Sequence, residues 1–261
     1  MRAIALLSTT VAILTTTPVA NADWCVGARD VAMEMDLRGV TTIEVRAVAG
    51  DLDIKGVTAP GQLVATGKAC VQRRYKDRVD EIRIVEERDG GTLRIIVDVP
   101  YKRGFNSGLI GALDLNLEVP NDVPLTVFDS SGDIFVEASG PLTLTDSSGD
   151  IGLREINGDV HIEMDSSGDI DMRKVGNVLI RVDSSGDVDV REALSLTINK
   201  DSSGDIDAHD IAADVYVGTD SSGDIDVSNV NGNLTVGSDG SGYIRHRRVA
   251  GNVDIPQRKR D

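Results

Sequence analysis

Carboxylates and hydroxyls recur along this chain at a fixed spacing. The phrase Asp-Ser-Ser-Gly-Asp-Ile/Val begins at Asp129, Asp146, Asp165, Asp183, Asp201 and Asp220, and a degenerate copy, Asp-Gly-Ser-Gly-Tyr-Ile, begins at Asp239. Successive starts lie 17, 19, 18, 18, 19 and 19 residues apart. Three kinds of chemistry could use such groups. Glycoside hydrolysis needs two carboxylates in unlike environments at one place, whereas these acids recur at equivalent positions in every copy. Serine nucleophiles need a base, yet His161, His209 and His246 fall at different places in their repeats and no G-x-S-x-G elbow is present. Cation binding is the third, since stacked carboxylates and carbonyl oxygens suit Ca²⁺. The candidate ligands are Asp165, Asp169, Asp183, Asp187, Asp201 and Asp205. Against this, the chain has neither the GGxGxDxUx nonapeptide nor an EF-hand loop. It also has no HExxH, phosphate-cradling glycine loop or dinucleotide fingerprint. These absences predict a protein that is not an enzyme and needs no cofactor, with Ca²⁺ the one ion its residues could take.

A period near 18, held over seven copies, calls for a repeat architecture. Each period contains a second phrase, as in Gly158-Asp159-Val160-His161-Ile162, Gly176-Asn177-Val178-Leu179-Ile180 and Gly232-Asn233-Leu234-Thr235-Val236. One unit is thus turn, short alternating strand, turn, short alternating strand. So short a strand pair cannot bury its apolar face alone, but stacked units can, each strand bonding to its counterpart about 4.8 Å along the axis. The fold class is therefore all-β, a β-solenoid with coils of about 18 residues.

Stacking turns the repeated acids into columns. Unit charges about 4.8 Å apart repel by roughly 1 kcal/mol in water and about 3–4 kcal/mol at an effective dielectric of 20. Something must offset that. The first Asp of each phrase could accept backbone N–H bonds from its own Ser-Ser-Gly turn, with Gly in the left-handed region; cation binding is the alternative. The third acid (Asp171, Asp189, Asp207, Asp226) alternates with aliphatics and reads as solvated. Outward positions of the second strand, read as Thr143, His161, Leu179, Ser195, Tyr216, Thr235 and Asp254, form no threonine ladder for a flat ice-binding face.

Residues 1–22 read as a signal peptide: Met1-Arg2, a mostly apolar run, Pro18, then Ala20-Asn21-Ala22 as an A-x-A cleavage pattern. Removing it shifts the formal charge of −16 to −17, which disfavours nucleic acid and anionic surfaces as partners. No further stretch reads as a transmembrane segment, so the mature chain is expected in the periplasm, outside the cell or on its surface. Cys25 and Cys70, the only cysteines, are expected to form a disulfide in that compartment. Residues 23–40 form an entry segment. Residues 41–124 form an N-terminal β region, with a hairpin around Asp89-Gly90-Gly91, a basic run from Arg73 to Arg78, and an irregular loop from Tyr101 to Ala112 carrying exposed-looking Phe105, Leu109 and Ile110.

The hairpin with its Asp-Gly-Gly turn, the alternating strand ending in Val119-Pro120 and the serial Ser-Ser-Gly-Asp-Ile phrases resemble the bacterial "putative adhesin", or toast-rack, domain over about residues 41–255. The resemblance implies a right-handed, single-stranded β-helix in exported or envelope-anchored proteins, and it brings no catalytic residues. The regular coils occupy 125–255, and residues 256–261 form a basic tail. Arg245, Arg247 and Arg248, with Arg258, Lys259 and Arg260 in the tail, make a basic end on an acidic rod. That end reads as a cap against edge pairing, or as a surface for an anionic envelope polymer or another protein's acidic flank. The expected function is binding or scaffolding in the envelope or periplasm; a Ca²⁺-dependent surface module and, more distantly, a polysaccharide-active enzyme are the alternatives.

Overall fold

The computed structural model describes residues 25–59, 61–102 and 107–256. The signal peptide, Phe105, Arg258, Lys259 and Arg260 lie outside the described residues. The chain folds as an all-β solenoid of about seven turns of stacked parallel strands.

Each coil gives one strand to each of two sheets. In the first sheet Leu125, Leu142, Val160, Val178, Leu196, Val215 and Leu234 lie in register. In the second the register runs Ile134, Ile151, Ile170, Val188, Ile206, Ile225 and Ile244. Period-two alternation makes this possible: a strand such as Leu142–Thr145 turns Leu142 and Leu144 inward, and both are buried. One central coil buries Val188, Val190, Ala193, Leu196 and Ile198, each large aliphatic contributing about 1.5–3 kcal/mol against the entropy of ordering the coil.

Two corners join the sheets, and each has its own backbone requirement. At the Ser-Ser-Gly corner the glycines from Gly132 to Gly242 hold φ between +123° and +145°. A Cβ on Gly186 would lie 1.8 Å from the Gly168 carbonyl oxygen, so the coils can approach this closely only through glycine. The opposite corner places Ala138, Glu155, Lys174, Glu192, Asp210, Asn229 and Arg248 in the left-handed region, φ 53–59°. Cross-coil pairs flank it, Lys174 to Glu155 at 3.0 Å and Arg173 to Glu192 at 2.8 Å.

The chain does not enter the stack in simple order. Strands Thr42–Arg46 and Leu52–Val57 form the first coil, with Ile43 beside Leu125 and Leu52 beside Ile134. Residues 62–120, which separate that coil from the array in sequence, build a cap on the coil's far face. Thr92–Asp98 extends the first sheet and closes the expected hairpin with Arg83–Asp89 through Gly90-Gly91. Gly111–Pro120 extends the second sheet, followed outward by Gln62–Val71 and Gly27–Asp36. The basic run lies in a 3₁₀ helix, Arg73–Glu81.

Two expectations are corrected. Strand structure begins at Gly27, inside the expected entry segment, rather than at Thr41. The irregular loop is also smaller: Tyr101–Lys102 pairs with Gly108–Leu109, a ten-residue strand starts at Gly111, and Ile110 is fully buried. Among the described residues no helix is long and apolar enough to cross a membrane.

Candidate functional site

The Asp-Ser-Ser-Gly-Asp corners stack into a ridge along the solenoid, and the ridge sorts its two aspartates. The Asp after Gly faces outward and forms a ladder. Asp187 donates its N–H to Asp169 Oδ1 at 2.9 Å, and Asp205 donates to Asp187 Oδ1 at 2.8 Å. The ladder begins where Asp51 N–H meets Asp114 Oδ1 at 3.2 Å and ends where Tyr243 N–H meets Asp224 Oδ1 at 2.8 Å. A side-chain oxygen thus serves an amide that the glycine conformation turns away from the regular ladder, as the demand that backbone donors be satisfied requires. Serines run a parallel ladder, Ser185 Oγ donating to the Ser166 carbonyl at 3.1 Å. At the other end of the first-sheet strand, Asn177 donates N–H and Nδ2 to Asp159 Oδ1 at 3.1 and 2.8 Å, and Asn233 treats Asp214 likewise.

The first Asp of each phrase points inward. Asp129, Asp146, Asp165, Asp183, Asp201 and Asp220 are 0–5 % exposed. The expected turn cap forms with good geometry at Asp220 alone, whose Oδ1 accepts Ser222 N–H at 3.0 Å. Neither carboxyl oxygen of the other five accepts a hydrogen bond. Burial pushes these acids up, and neighbouring carboxylates add to it; the amides of the two following serines offset part of the rise. Asp129 and Asp165 are raised to about 7, and Asp183, Asp201 and Asp220 to about 6.

The six cation candidates therefore divide between two environments. Asp169, Asp187 and Asp205 each spend Oδ1 on an amide, while Asp165, Asp183 and Asp201 lie inside. Among the described residues no three acidic, histidine or cysteine side chains converge to hold a metal ion. Ca²⁺ takes six to eight oxygens, and this donor set does not fit it.

The basic end is engaged with the acidic columns. Arg245 Nη1 lies 2.8 Å from Asp224 Oδ2, Arg247 Nη2 lies 3.9 Å from Asp226 Oδ1, and Arg248 Nε donates to Asn229 Oδ1. Arg245 and Arg247 cover the last acids of two columns, and Arg248 bonds back to the coil before it. Cys25 and Cys70 are joined by a disulfide that ties the segment leading into Gly27–Asp36 to the end of the Gln62–Val71 strand.

One pair escaped the sequence reading. His209 Nδ1 lies 2.7 Å from Ser228 Oγ across neighbouring coils. Only register brings them together, since they stand 19 residues apart. Ser228 is buried within a paired strand, so its hydroxyl is not presented to a substrate, and the contact joins coils. Register also corrects the outward row of the first sheet, where Thr197 stands between Leu179 and Tyr216. Ser195 instead stacks on Asn177, Oγ to Oδ1 at 2.8 Å. His161, Leu179 and Tyr216 still interrupt the row.

The hollows are open. The largest described, about 530 Å³, lies where the ladder starts and is lined by Gly50, Asp51, Gln72, Leu109, Asp114 and Ser131 among others. Leu109, Gly111 and Ala112 are the part of the Tyr101–Ala112 segment that reaches it. Its two carboxylates, Asp51 and Asp114, are consecutive rungs of the ladder, and among the described residues no histidine, lysine or arginine lines it.

No curated protein matches the sequence. Several solved structures are similar, among them these three. A putative cell adhesion protein from Clostridium sporogenes is 13 % identical, with 88 % of this chain and 100 % of that one covered and a TM-score of 0.37. A putative adhesin from Bacteroides fragilis is 16 % identical, covering 87 % and 97 %, with a TM-score of 0.42. A putative lipid binding protein from Parabacteroides distasonis is 14 % identical, covering 90 % and 99 %, with a TM-score of 0.37. The family described as "putative auto-transporter adhesin, head GIN domain" matches residues 79–250, more than half of the chain. The match takes in the hairpin and the regular coils, and the chain belongs to this family.

Proposed function

We propose that the protein is an exported, non-enzymatic binding module that holds a component of the cell envelope, or another exported protein, against the side of its rod. The observation that carries this reading is the uniform ridge: six successive coils present the same outward carboxylate, from Asp133 to Asp224, each bonded to the next. Repetition suits adhesion, where many weak contacts add along a surface; catalysis needs one distinct place. The family description and the disulfide support an exported protein. The acidic balance of −16 favours neutral or cationic partners over nucleic acid.

The test is co-sedimentation of the purified protein with envelope fractions, in Ca²⁺ and then in excess EDTA. Pelleting in both conditions is the expected outcome. Pelleting in Ca²⁺ alone replaces direct binding with a Ca²⁺-dependent surface module. A protein that stays in the supernatant in both is not an envelope binder, and a pull-down from exported proteins then decides whether it binds protein instead.

A further inference from the structure

The inner carboxyls form a column closed to water, in which the amides of the following serines come near but, at all but Asp220, make no well-formed hydrogen bond. Asp146, Asp165, Asp183 and Asp201 are 0–1 % exposed. As carboxylates, none of them has a hydrogen-bond partner for either oxygen. Register pairs Asp165 with Asp183, and Asp201 with Asp220 and Asp220 with Asp239, at the strand spacing of about 4.8 Å. The charged groups facing the column from neighbouring turns are acids too: Asp51 toward Asp129, Asp133 toward Asp146, Asp150 toward Asp165, and Asp205 and Asp239 toward Asp220. No basic side chain is among them.

A buried ion without a partner is among the most costly things a fold can contain. Five adjacent ones of the same sign, Asp129 to Asp201, would weigh heavily against a stable solenoid. Protons remove both difficulties at once. A protonated carboxyl loses its charge and gains an O–H donor, so it supplies the hydrogen bond that its neighbour lacks. Asp183 and Asp201 lie within side-chain hydrogen-bond reach of each other, so a proton on either can bridge to the other.

We infer that the inner column is a proton-binding site of the folded protein, in which aspartates of successive coils share protons across the gaps between strands. The protons come from solvent during folding and return to it on unfolding. The unfolded chain has ordinary carboxyls near 4, whereas burial and like charge hold Asp129, Asp165, Asp183, Asp201 and Asp220 at about 6 to 7 and raise Asp146 as well. Between those values the folded state binds more protons than the unfolded one, so stability falls as pH rises. The column's contribution is whole below about pH 4 and is lost on passing through pH 6–7. Asp36, Glu44 and Glu81, held low by arginines, act in the opposite sense, but only in acid below the ordinary carboxyl range.

The experiment compares thermal unfolding of the wild type and Asp183→Asn at pH 5 and pH 8. Asparagine keeps the shape and a donor and cannot ionise. The expected result is a wild-type Tm at least about 5 °C lower at pH 8 than at pH 5, with a smaller fall in the variant. Refolding the wild type near pH 6.5 in weak buffer should also take up protons. That second readout applies even if the variant does not fold. A wild-type Tm equal or higher at pH 8, no proton uptake, or an equal loss in Asp183→Asn at both pH values overturns the proposal. Full restoration of the pH 8 wild-type Tm by Ca²⁺, reversed by EDTA, overturns it in favour of a cation column.

Discussion

At the scale of single residues, the outward Asp is an acceptor first and a charge second. Asp187 Oδ1 takes the amide of Asp205, and nothing else stands in for it in that coil. Asp187→Ala should therefore cost about 1 kcal/mol, a fall of about 2–4 °C in Tm. Asp187→Asn keeps the oxygen and removes one of several like charges in a row, so its Tm should equal or exceed that of the wild type. The chain performs this exchange itself at the other end of the strand, where Asp159 is followed by Asn177 and Asp214 by Asn233. A melt in which Asn falls as far as Ala would mean that charge, not the amide bond, is what the ladder needs. The recurrence of Asp was plain in the sequence, but which Asp turns inward depended on alternation continued past the strand end. Leu125, Val127 and Asp129 occupy successive inward positions, as do Leu142, Leu144 and Asp146. In coils with an extra residue, such as Ile162 to Asp165, a register shift does the same and hides the parity.

Elements differ in how firmly the stack holds them. The strand Gly27–Asp36 is the last of the second sheet, paired along one edge with Gln62–Val71. Its alternate residues, Ala28, Asp30, Ala32 and Glu34, remain exposed, so packing contributes less there than in a central coil. The disulfide compensates at the strand's open end. Replacing Cys25 and Cys70 by serine should cost about 2–4 kcal/mol, with the loss read locally. Hydrogen exchange is expected to rise through Gly27–Asp36 while Val188–Asp201 keeps its protection. Uniform loss across both would show that the cap and array unfold as one unit. This strand was illegible in sequence because small and acidic residues dilute its alternation. Ile110 was misjudged for a related reason: Gly108 and Gly111 beside it look like loop, yet they carry the chain into two paired strands. The array was legible almost throughout, since a six-residue phrase marks every corner. It failed at Ser195, where Glu192-Ala193-Leu194 gives no second-phrase signature and only pairing fixes the register.

Over the whole molecule, each coil contacts its neighbours, so stability adds along the axis and the ends matter disproportionately. The Ile244–Val249 strand has its outer edge open, and Arg245 and Arg247 face the acids of the coil before it. The double change Arg245→Glu and Arg247→Glu sets like charges against Asp224 and Asp226. Exposed ion pairs are worth little individually, so global Tm should move by less than about 2 °C. Limited chymotrypsin digestion should nevertheless cut faster at Tyr243, and light scattering should report association through the uncovered Leu234 and Val236. Unchanged cleavage would show that the arginines do not secure the last coil.

The placement in sequence of residues 62–120 between the first coil and the array carries a consequence in time rather than in space. Within the array, a strand meets its partner after 17 to 19 residues, a short loop to close. Ile43 must wait for Leu125, 82 residues later, and distant closures are slow because entropy is lost before contacts reward it. The coil nearest the amino terminus, which leaves the ribosome before the others, thus waits longest for its partner. Until then its apolar edge stands open, and the interval before docking is when the young chain is most exposed to wrong partners.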